Sequence, residues 1–456
     1  MCEISKAIPD VRRGKNCHYS MQDIIMGGFS VFFMQNPSWL AYQKLLENQH
    51  HQTNVNTLFH CEKIASDNHI RNILDKINPS QFDSMYNLIL NDLREKGYLE
   101  KFKVLGNKTL ISVDGTTFFQ SNEICCGKCL HKYHKKTDEY EFSHMMLGLS
   151  ITSTYSKEVI PLAPIFVANS DLSESERKNN TLLKQNSEYK AFKFFCENDF
   201  SRIESLNPVI VGDALFGREP IIALLNDHSN ANFIFSCKPG SNKTVYDFVD
   251  NGDLCTYKTI KRVKSNVKEE WIYEWLNNIP LTNSQTPLRV NYISLTITQS
   301  PNAEQIKKLE KKARKKSNYK TYENFLITKK FDFITDIDVS EENIEELIAC
   351  GRSRWSLENE FNSLKTRGYN FEHNYGHGKL NLSNVIATFI LLSFLMHTAA
   401  SLTDELYNLA KNEFSNRKYF FHSLFLLTQI FIFSDFSSIF NVIIGNKSCN
   451  IYNDSS

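Results

Sequence analysis

The sequence predicts an α/β protein with a helical region at each end and a β-rich stretch before one long helix. Three patterns predict it. Short apolar strand-like runs alternate with helical patterns in the first half of the chain. Strand-like patterns dominate the next hundred or so residues, and apolar residues recur at helical spacing at both ends. The resulting division is 1–105 (helical), 106–230 (α/β), 231–338 (β-rich), 339–378 (long helix and the loop after it) and 379–456 (helical).

The composition is that of a globular protein. Its 456 residues are 41% hydrophobic and 23% charged, which is enough chain for two or three domains. Because the net charge is only +1, a nucleic-acid partner would have to be bound by local basic patches. The 11 cysteines are scattered, and residues 1–4 do not resemble the start of a secretory leader. We therefore expect reduced thiols in a cytoplasmic protein.

Two apolar stretches, 380–403 and 419–434, resemble membrane spans in composition. Polar residues interrupt both of them, among them His397 in the first and His422 in the second. Because a span needs about 20 mainly apolar residues, we expect buried core helices and no membrane partner.

The N-terminal helices are predicted from residue 19 to residue 100. Phe29, Phe32 and Phe33 recur at helical spacing, and Ser66 is a suitable cap for a helix that begins after it. No sharp helix-turn-helix pattern occurs in this region.

Two acids come after short apolar runs with strand character. Asp114 follows Thr109–Val113, and Asp213 follows Val209–Val211 and Gly212. Side chains at strand ends of an α/β sheet leave the core and bind ligands or metals. Taken singly, each acid also fits a plain structural role, because Asp-Gly is a common turn and Gly-Asp often caps the next helix.

A third acid lies on the long helix predicted from Ser340 to Lys365. At roughly 100° per residue, Arg354, Glu358 and Lys365 fall within about 40° of one another beside an apolar stripe. Glu360 lies well away from that line, so we select Glu358. A solvated helix with ion pairs four residues apart fits the same spacing, and the helix geometry does not decide between the two.

Around these acids the chain resembles the DDE transposases of bacterial insertion sequences, in the group marked by Tyr-x2-Arg-x3-Glu-x6-Lys. Arg354, Glu358 and Lys365 match that motif. The resemblance covers most of the chain and is weakest at its two ends. The motif tyrosine would fall at position 351, which is glycine here. In the family this tyrosine contacts DNA and is not a metal ligand, so its absence would affect DNA-end binding rather than catalysis. Other similar segments are Val113–Thr116, Val211–Leu215, Phe233–Pro239 and Gly368–Gly378.

The resemblance implies an RNase H-like catalytic core with a β-rich insertion before the third acid. It also implies that Asp114, Asp213 and Glu358 are catalytic and bind two Mg²⁺ or Mn²⁺ ions, and that Arg354 and Lys365 contact DNA phosphates. The implied partners are terminal inverted repeats and target DNA, bound by a homodimer in the cytoplasm at the nucleoid. By analogy, the N-terminal helices would recognise the DNA ends.

Three further features have both a functional and a plain structural interpretation. Cys126, Cys129, His134 and His144 have the spacing of a structural zinc site, but a single Cys-x2-Cys pair also fits loop thiols. Residues 307–320 hold eight Lys or Arg and suit DNA-backbone contact, or a solvated insertion. His373 and His377 come after the long helix and are not assigned as ligands.

The function predicted from the sequence is therefore DNA cleavage and strand transfer at insertion-sequence ends. One alternative is a metal-dependent nuclease with the same acids but no strand transfer. Another is a decayed transposon protein that binds DNA without cutting it, which Gly351 favours and the three retained acids do not.

Overall fold

The structure is a computed structural model that describes residues 1–10, 12, 17–46, 49–169, 187–262, 268–299 and 327–446. It is a mixed α/β protein with a mixed sheet of 12 strands, which confirms the predicted α/β class. The chain divides into two compact units. Unit 1 comprises Met1–Phe102, Val113–Phe192 and Trp355–Ser456, and unit 2 comprises Lys103–Ser112 and Lys193–Arg354.

The elements follow one another in the order that the sequence patterns predict, with helices first, then an α/β stretch, then strands, then helices again. The first are α1 (Cys2–Ala7), α2 (Met21–Phe33), α3 (Trp39–Leu46), α4 (Gln49–Phe59), α5 (Asp67–Leu74), α6 (Asp83–Glu95), β1 (Lys103–Val104), β2 (Lys108–Ser121), β3 (Leu130–His134), β4 (Glu139–Thr152), β5 (Ile160–Pro161) and β6 (Ile165–Val167). The middle of the chain forms α7 (Glu188–Asn198), α8 (Ser201–Glu204), β7 (Pro208–Gly212), α9 (Glu219–Asn226), β8 (Asn232–Ser236), α10 (Lys243–Asn251), β9 (Cys255–Arg262), β10 (Lys268–Pro280), β11 (Arg289–Gln299) and β12 (Ile327–Thr335). The last are α11 (Ile344–Arg352), α12 (Arg354–Thr366), α13 (Leu382–Thr403), α14 (Glu405–Asn412), α15 (Arg417–Ile430) and α16 (Phe436–Ile443).

Helix α13 is the central core helix of unit 1. Phe389 on α13 contacts Phe29 of α2 and Phe82, with ring centroids 6.0 and 4.9 Å apart, and Tyr86 donates a hydrogen bond to the Thr388 carbonyl. Its length and composition would suffice to span a membrane, but 72% of its most apolar window is buried within the protein, and core helices of soluble proteins meet the same criteria. The stretch is a buried core helix, as predicted.

The sheet of unit 1 is built around β4. Strands β3 and β4 form an antiparallel hairpin, β5 and β6 pair antiparallel with β4, and β4 lies next to β2. Strand β2 is longer than the sequence pattern indicates and continues through Asp114 to Ser121. The expectation that Asp114 comes after the end of a strand is therefore wrong, because the residues after it continue the extended pairing instead of turning away.

Unit 2 begins with a parallel pair of strands. Residues of β2 pair with β7 from Thr109 with Pro208 to Ser112 with Val211, and β7 in turn runs parallel to β8. Antiparallel pairing then continues from β8 through β12, β11 and β10 to β9. These strands confirm the predicted β-rich stretch, whereas helix α10 within it was not predicted. The basic residues 307–320 lie outside the described residues.

The long helix predicted from Ser340 to Lys365 is two helices, α11 and α12. They are separated at Ser353, whose hydroxyl donates a hydrogen bond to the Cys350 carbonyl at 2.7 Å. The Ser353 N–H is shared between the carbonyls of Ala349 and Cys350 at 3.1 and 3.0 Å. Serine bonds of this kind compete with the regular helical ladder, which explains the break.

Candidate functional site

Four metal-binding side chains lie together in unit 1. Cys126, Cys129, His144 and His377, named here the Cys2His2 cluster, each offer one ligand atom, and these atoms all lie within 4.8 Å of one another. All four residues are between 3% and 8% exposed. The cluster is therefore shielded from bulk water, as is typical of a structural metal site.

The two cysteines of the cluster lie on one tight turn before β3. The Cys129 N–H donates to the Cys126 carbonyl at 3.3 Å, and the Cys126 N–H donates to the Cys129 sulfur at 3.4 Å. This turn brings both sulfurs to the same side, with the Sγ atoms 3.9 Å apart. Cys125 precedes the turn and is exposed, so it is not part of the cluster.

His144 reaches the cluster from β4 because of the hairpin register. Leu130 pairs with Ser143 in the antiparallel ladder, so the next position along brings Cys129 beside His144. The Nε2 atom of His144 lies 3.4 Å from the sulfur of Cys126 and 3.4 Å from that of Cys129. The hairpin therefore supplies three of the four ligands.

His377 joins the cluster from the loop between α12 and α13. Its Nε2 atom lies 3.3 Å from the Cys129 sulfur and 3.1 Å from Nε2 of His144. Its other ring nitrogen, Nδ1, lies 3.0 Å from the Gly378 carbonyl, to which an Nδ1–H can donate. That bond leaves the Nε2 lone pair directed at the cluster. Gly378 has a φ of +70°, a conformation that glycine adopts without strain.

The loop that carries His377 is bound by an acid on the N-terminal side of the chain. The Asp75 carboxylate accepts hydrogen bonds from the backbone N–H groups of four consecutive residues, Lys379, Leu380, Asn381 and Leu382, at 2.9 to 3.2 Å. Burial raises the pKa of Asp75, but these backbone bonds outweigh it and the net pKa is lowered. Lys128 of the cysteine turn donates to the Asn381 side chain at 2.5 Å.

The electrostatics of the cluster favour one thiolate. The pKa of the Cys126 thiol is lowered, mainly by a hydrogen bond from Cys129 and to a smaller extent by hydrogen bonds from His144 and His377. Burial acts in the opposite direction but does not outweigh them. The same bond to Cys126, together with burial, raises the pKa of Cys129. A thiolate beside imidazole nitrogens is the donor chemistry of a metal site, and the cluster can hold a metal ion.

The possible zinc site named from the sequence included His134, which is not in the cluster. His134 lies at the far end of β3, five residues beyond Cys129, which is a rise of about 17 Å along an extended strand. Its Nε2 atom lies 3.2 Å from the Glu141 carboxylate instead. His377, which the sequence did not assign as a ligand, takes the place of His134.

The five residues implied by the transposase resemblance are divided between the two units. Asp114, Glu358 and Lys365 belong to unit 1, whereas Asp213 and Arg354 belong to unit 2. The metal-capable group found among the described residues consists of cysteine and histidine and is not the acidic site that the resemblance implies.

Asp114 and Asp213 are both half-buried. The Asp114 carboxylate accepts a hydrogen bond from the N–H of Gly115 at 3.2 Å, and that of Asp213 accepts one from the N–H of Leu215 at 2.8 Å. Asp213 directly follows β7, as predicted.

The residues of α12 differ sharply in burial. Glu358 is exposed, while Leu357, Phe361 and Leu364 are buried as the predicted apolar stripe. Lys365 forms an ion pair with Glu372 at 2.8 Å. Burial raises the pKa of Glu360, which Arg417 and Arg367 partly offset.

The packing around position 351 explains the departure from the motif. Gly351 is buried on α11, and a Cβ atom there would lie 2.8 Å from the ring of Phe333 on β12. A tyrosine would need that ring to move. The glycine therefore fits the packing of unit 2, in which Arg352 also lies over the Phe331 and Trp271 rings.

Comparison with known proteins yields no family. No protein-family model matches the chain, and no curated protein matches it.

Proposed function

We propose that the chain is a DDE transposase that cuts DNA at the ends of its own element and joins them to a target. The observation that carries the proposal is helix α12, where Arg354, Glu358 and Lys365 lie at the motif spacing on one helix of 13 residues. The chain also keeps both other acids, each next to or within a sheet strand. An RNase H-like core with an inserted β-rich stretch is part of the proposal.

The parallel pairing of unit 2 supports the proposal. Its last paired residues are Ser112 and Val211, and the two candidate acids, Asp114 and Asp213, each come two residues later in the chain. The two strands run in the same direction, and each acid comes the same number of residues after the last paired residue of its strand. Asp213 follows the carboxyl end of β7, and such strand ends are where α/β proteins bind ligands, whereas Asp114 lies within β2.

The donor chemistry of the acids fits Mg²⁺ or Mn²⁺. Carboxylate oxygens are the hard ligands that these ions prefer, and Asp114, Asp213 and Glu358 would hold two of them. Two such ions supply activation of water or a 3′-hydroxyl and stabilisation of the leaving oxygen in an in-line displacement at phosphorus. Glu358 is exposed on α12.

Arg354 and Lys365 would bind the phosphates beside the scissile bond. Arginine does so with a bidentate fork and lysine as a point charge. The ion pair of Lys365 with Glu372 is compatible with this role, because Glu372 is 57% exposed and such pairs contribute only about 0–1 kcal/mol. A DNA phosphate can replace Glu372 as the partner of Lys365.

The proposed partners are the terminal inverted repeats and the target DNA. With a net charge of +1, the protein would bind DNA through local basic groups. The N-terminal helices would recognise the ends, and two copies would pair two ends as a homodimer. The cytoplasm, at the nucleoid, is the compartment that this activity requires.

The test is metal-dependent cleavage of labelled DNA that carries the repeats flanking the coding sequence. Wild type is compared with Asp114→Asn, Asp213→Asn and Glu358→Gln, which keep side-chain shape and remove charge. Glu123→Gln, at an exposed acid after β2, is the matched control. We expect Mg²⁺-dependent nicking at the repeat ends for wild type and the control, and loss of nicking with retained DNA binding for the three variants.

The same assay separates the alternatives. Cleavage without joined products would identify a nuclease rather than a transposase. Wild type that binds the ends but never cuts with Mg²⁺ or Mn²⁺ would refute the catalytic role and leave the DNA-binding relic, the alternative that Gly351 favours.

A further inference from the structure

We propose that Cys126, Cys129, His144 and His377 bind one zinc ion in a closed, tetrahedral, structural site. This inference is independent of the transposase proposal, since none of the four residues belongs to the proposed acid site. It rests on the geometry of the Cys2His2 cluster, on hydrogen-bond stoichiometry and on ligand chemistry.

The distances between the four ligand atoms of the cluster are close to those of a tetrahedral zinc site. With Zn–S near 2.3 Å and Zn–N near 2.05 Å, a regular tetrahedron has edges of about 3.8 Å (S to S), 3.6 Å (S to N) and 3.3 Å (N to N). The corresponding distances in the protein are 3.9 Å between the sulfurs, 3.3 to 3.4 Å for three sulfur–nitrogen pairs and 3.1 Å between the nitrogens. These five of the six edges agree to within about 0.3 Å, and the sixth, from the Cys126 sulfur to Nε2 of His377, is at most 4.8 Å, so an ion fits with little movement of the ligands.

Direct hydrogen bonding does not account for the same contacts. The Nε2 atom of His144 lies within 3.4 Å of three atoms, namely both sulfurs and Nε2 of His377. One imidazole nitrogen carries either one proton or one lone pair, so it can form only one good hydrogen bond, in the plane of its ring. A central ion satisfies all four ligand atoms at once.

The ligand set selects zinc over the ions proposed for the acids. Thiolate and imidazole are soft or borderline ligands that suit zinc, whereas magnesium and calcium require oxygen. Two thiolates and two neutral imidazoles balance the charge of Zn²⁺, which a buried site needs. Four protein ligands leave no open coordination position, so the site is structural rather than catalytic.

The groups around the ligands hold them in place by hydrogen bonds. The Gly378 carbonyl orients His377 through Nδ1, and the Cys126 N–H donates to the Cys129 sulfur. Asn169 donates to the Cys129 carbonyl at 3.1 Å and supports the cysteine turn from outside. Such outer contacts fix ligand orientation and normally accompany a metal site.

The ion would tie the β3–β4 hairpin to the loop after α12. Cys129 and His377 are 248 residues apart in the chain, so their connection closes a very long loop. Helix α12 is also seated on β4, because the Phe361 ring lies directly over Gly148, where a Cβ would overlap it. Zinc would thus fix the segment that leaves α12 on the same hairpin that supports the helix.

The test is the metal content of full-length protein purified without chelators, measured by inductively coupled plasma mass spectrometry. We expect about one zinc per chain. Cobalt exchanged into the protein should give the visible absorption of tetrahedral Co²⁺ together with a thiolate charge-transfer band in the near ultraviolet. The cobalt spectrum uses the wild type, so it remains informative if a ligand variant fails to fold.

Matched variants assign the ligands. Cys126→Ser, Cys129→Ser, His144→Gln and His377→Gln should each lose most of the bound zinc. Cys125→Ser and His134→Gln, the neighbouring thiol and the histidine outside the cluster, should keep it. Folded wild-type protein that contains no zinc and gives no thiolate band with cobalt would overturn the proposal, as would zinc retained in His377→Gln. None of these outcomes depends on DNA cleavage.

Discussion

The Cys2His2 cluster and the three acids, Asp114, Asp213 and Glu358, are opposite kinds of candidate site. The cluster is buried, lies within unit 1 and has its ligand atoms within 4.8 Å of one another. The acids are half-buried or exposed, and they are divided between the two units. The cluster is therefore identified by its own geometry, whereas the acids are identified by motif spacing and by the direction of the strands. The two sites should respond differently to the same perturbation.

The largest expected effect separates cleavage from zinc content. Glu358→Gln should lower Mg²⁺-dependent cleavage by about 1,000-fold, since a lost metal ligand removes several kcal/mol of transition-state stabilisation. Zinc content and the melting temperature should stay at wild-type values. Single-turnover cleavage, with metal analysis of the same preparation, makes the measurement. A parallel loss of zinc would contradict the separation of the sites.

Removal of zinc should instead act on stability. A chelator, or Cys126→Ser, should lower the Tm of unfolding by about 10 °C, because a structural metal contributes its binding free energy to the fold. Acid should have the same effect, since protons compete for thiolate and imidazole and the affinity falls with pH. Differential scanning calorimetry with and without added zinc measures the shift. An unchanged Tm after complete zinc removal would contradict a structural role.

Asp75 offers a pH test of the loop that carries His377. Asp75→Asn should lower the free energy of unfolding by about 2 kcal/mol at pH 7, because the carboxylate accepts backbone N–H bonds from four residues. The folded pKa of Asp75 is lowered, so this stabilisation is present above the unfolded pKa of about 3.9 and is lost as the pH falls through the folded value. Urea titrations should therefore give a difference between wild type and variant that shrinks toward acid pH. If the difference in the free energy of unfolding grew toward acid pH, the pKa of Asp75 would be raised in the folded protein, contrary to this account.

Position 351 tests whether the motif tyrosine is excluded by packing. Gly351→Tyr should destabilise the protein by about 1–3 kcal/mol, since the Phe333 ring occupies the space. Combining it with Phe333→Ala should cost less than the sum of the two single changes. Denaturant unfolding of the four proteins in this cycle gives the coupling. Strict additivity would mean that Phe333 does not exclude the side chain.

The smallest expected effect concerns the ion pair of Lys365. Glu372→Gln frees the lysine for a DNA phosphate and should strengthen binding to terminal-repeat DNA by about 2- to 5-fold. Lys365→Gln should weaken it. Fluorescence anisotropy at low salt measures both. Weaker binding in Glu372→Gln would show that the pair orients Lys365 rather than competing with DNA.

The sequence predicted those parts of the fold that depend on local patterns. The N-terminal helices, the buried helix α13 and the strand β7 before Asp213 can be predicted from periodicity and apolar runs. The pattern does not predict the break at Ser353, because it indicates one continuous helix there. It does not predict helix α10 either, because the surrounding stretch has a strand-like pattern. Local preference is a weak guide where one side-chain hydrogen bond changes the course of a helix.

The cluster shows why spacing alone could not complete the candidate metal site. The spacing in the sequence points to Cys126, Cys129 and His144, and the hairpin register explains why His144 lies beside Cys129. His377 comes from 233 residues beyond His144, and no local pattern connects the two. His134 belongs to the candidate set because it is near in sequence, but it lies at the far end of an extended strand, away from the turn. The fourth ligand is identified only by the contacts of His377 with Cys129 and His144 in the folded protein.

The catalytic proposal can be tested by comparing DNA cleavage by wild type with that by Glu358→Gln. The substrate is labelled DNA carrying the terminal repeats, and Mg²⁺ is the added metal. We expect nicking at the repeat ends by wild type and none above background by the variant, with equal DNA binding. Nicking by Glu358→Gln at the wild-type rate, or no nicking by folded, DNA-bound wild type, would contradict the proposal.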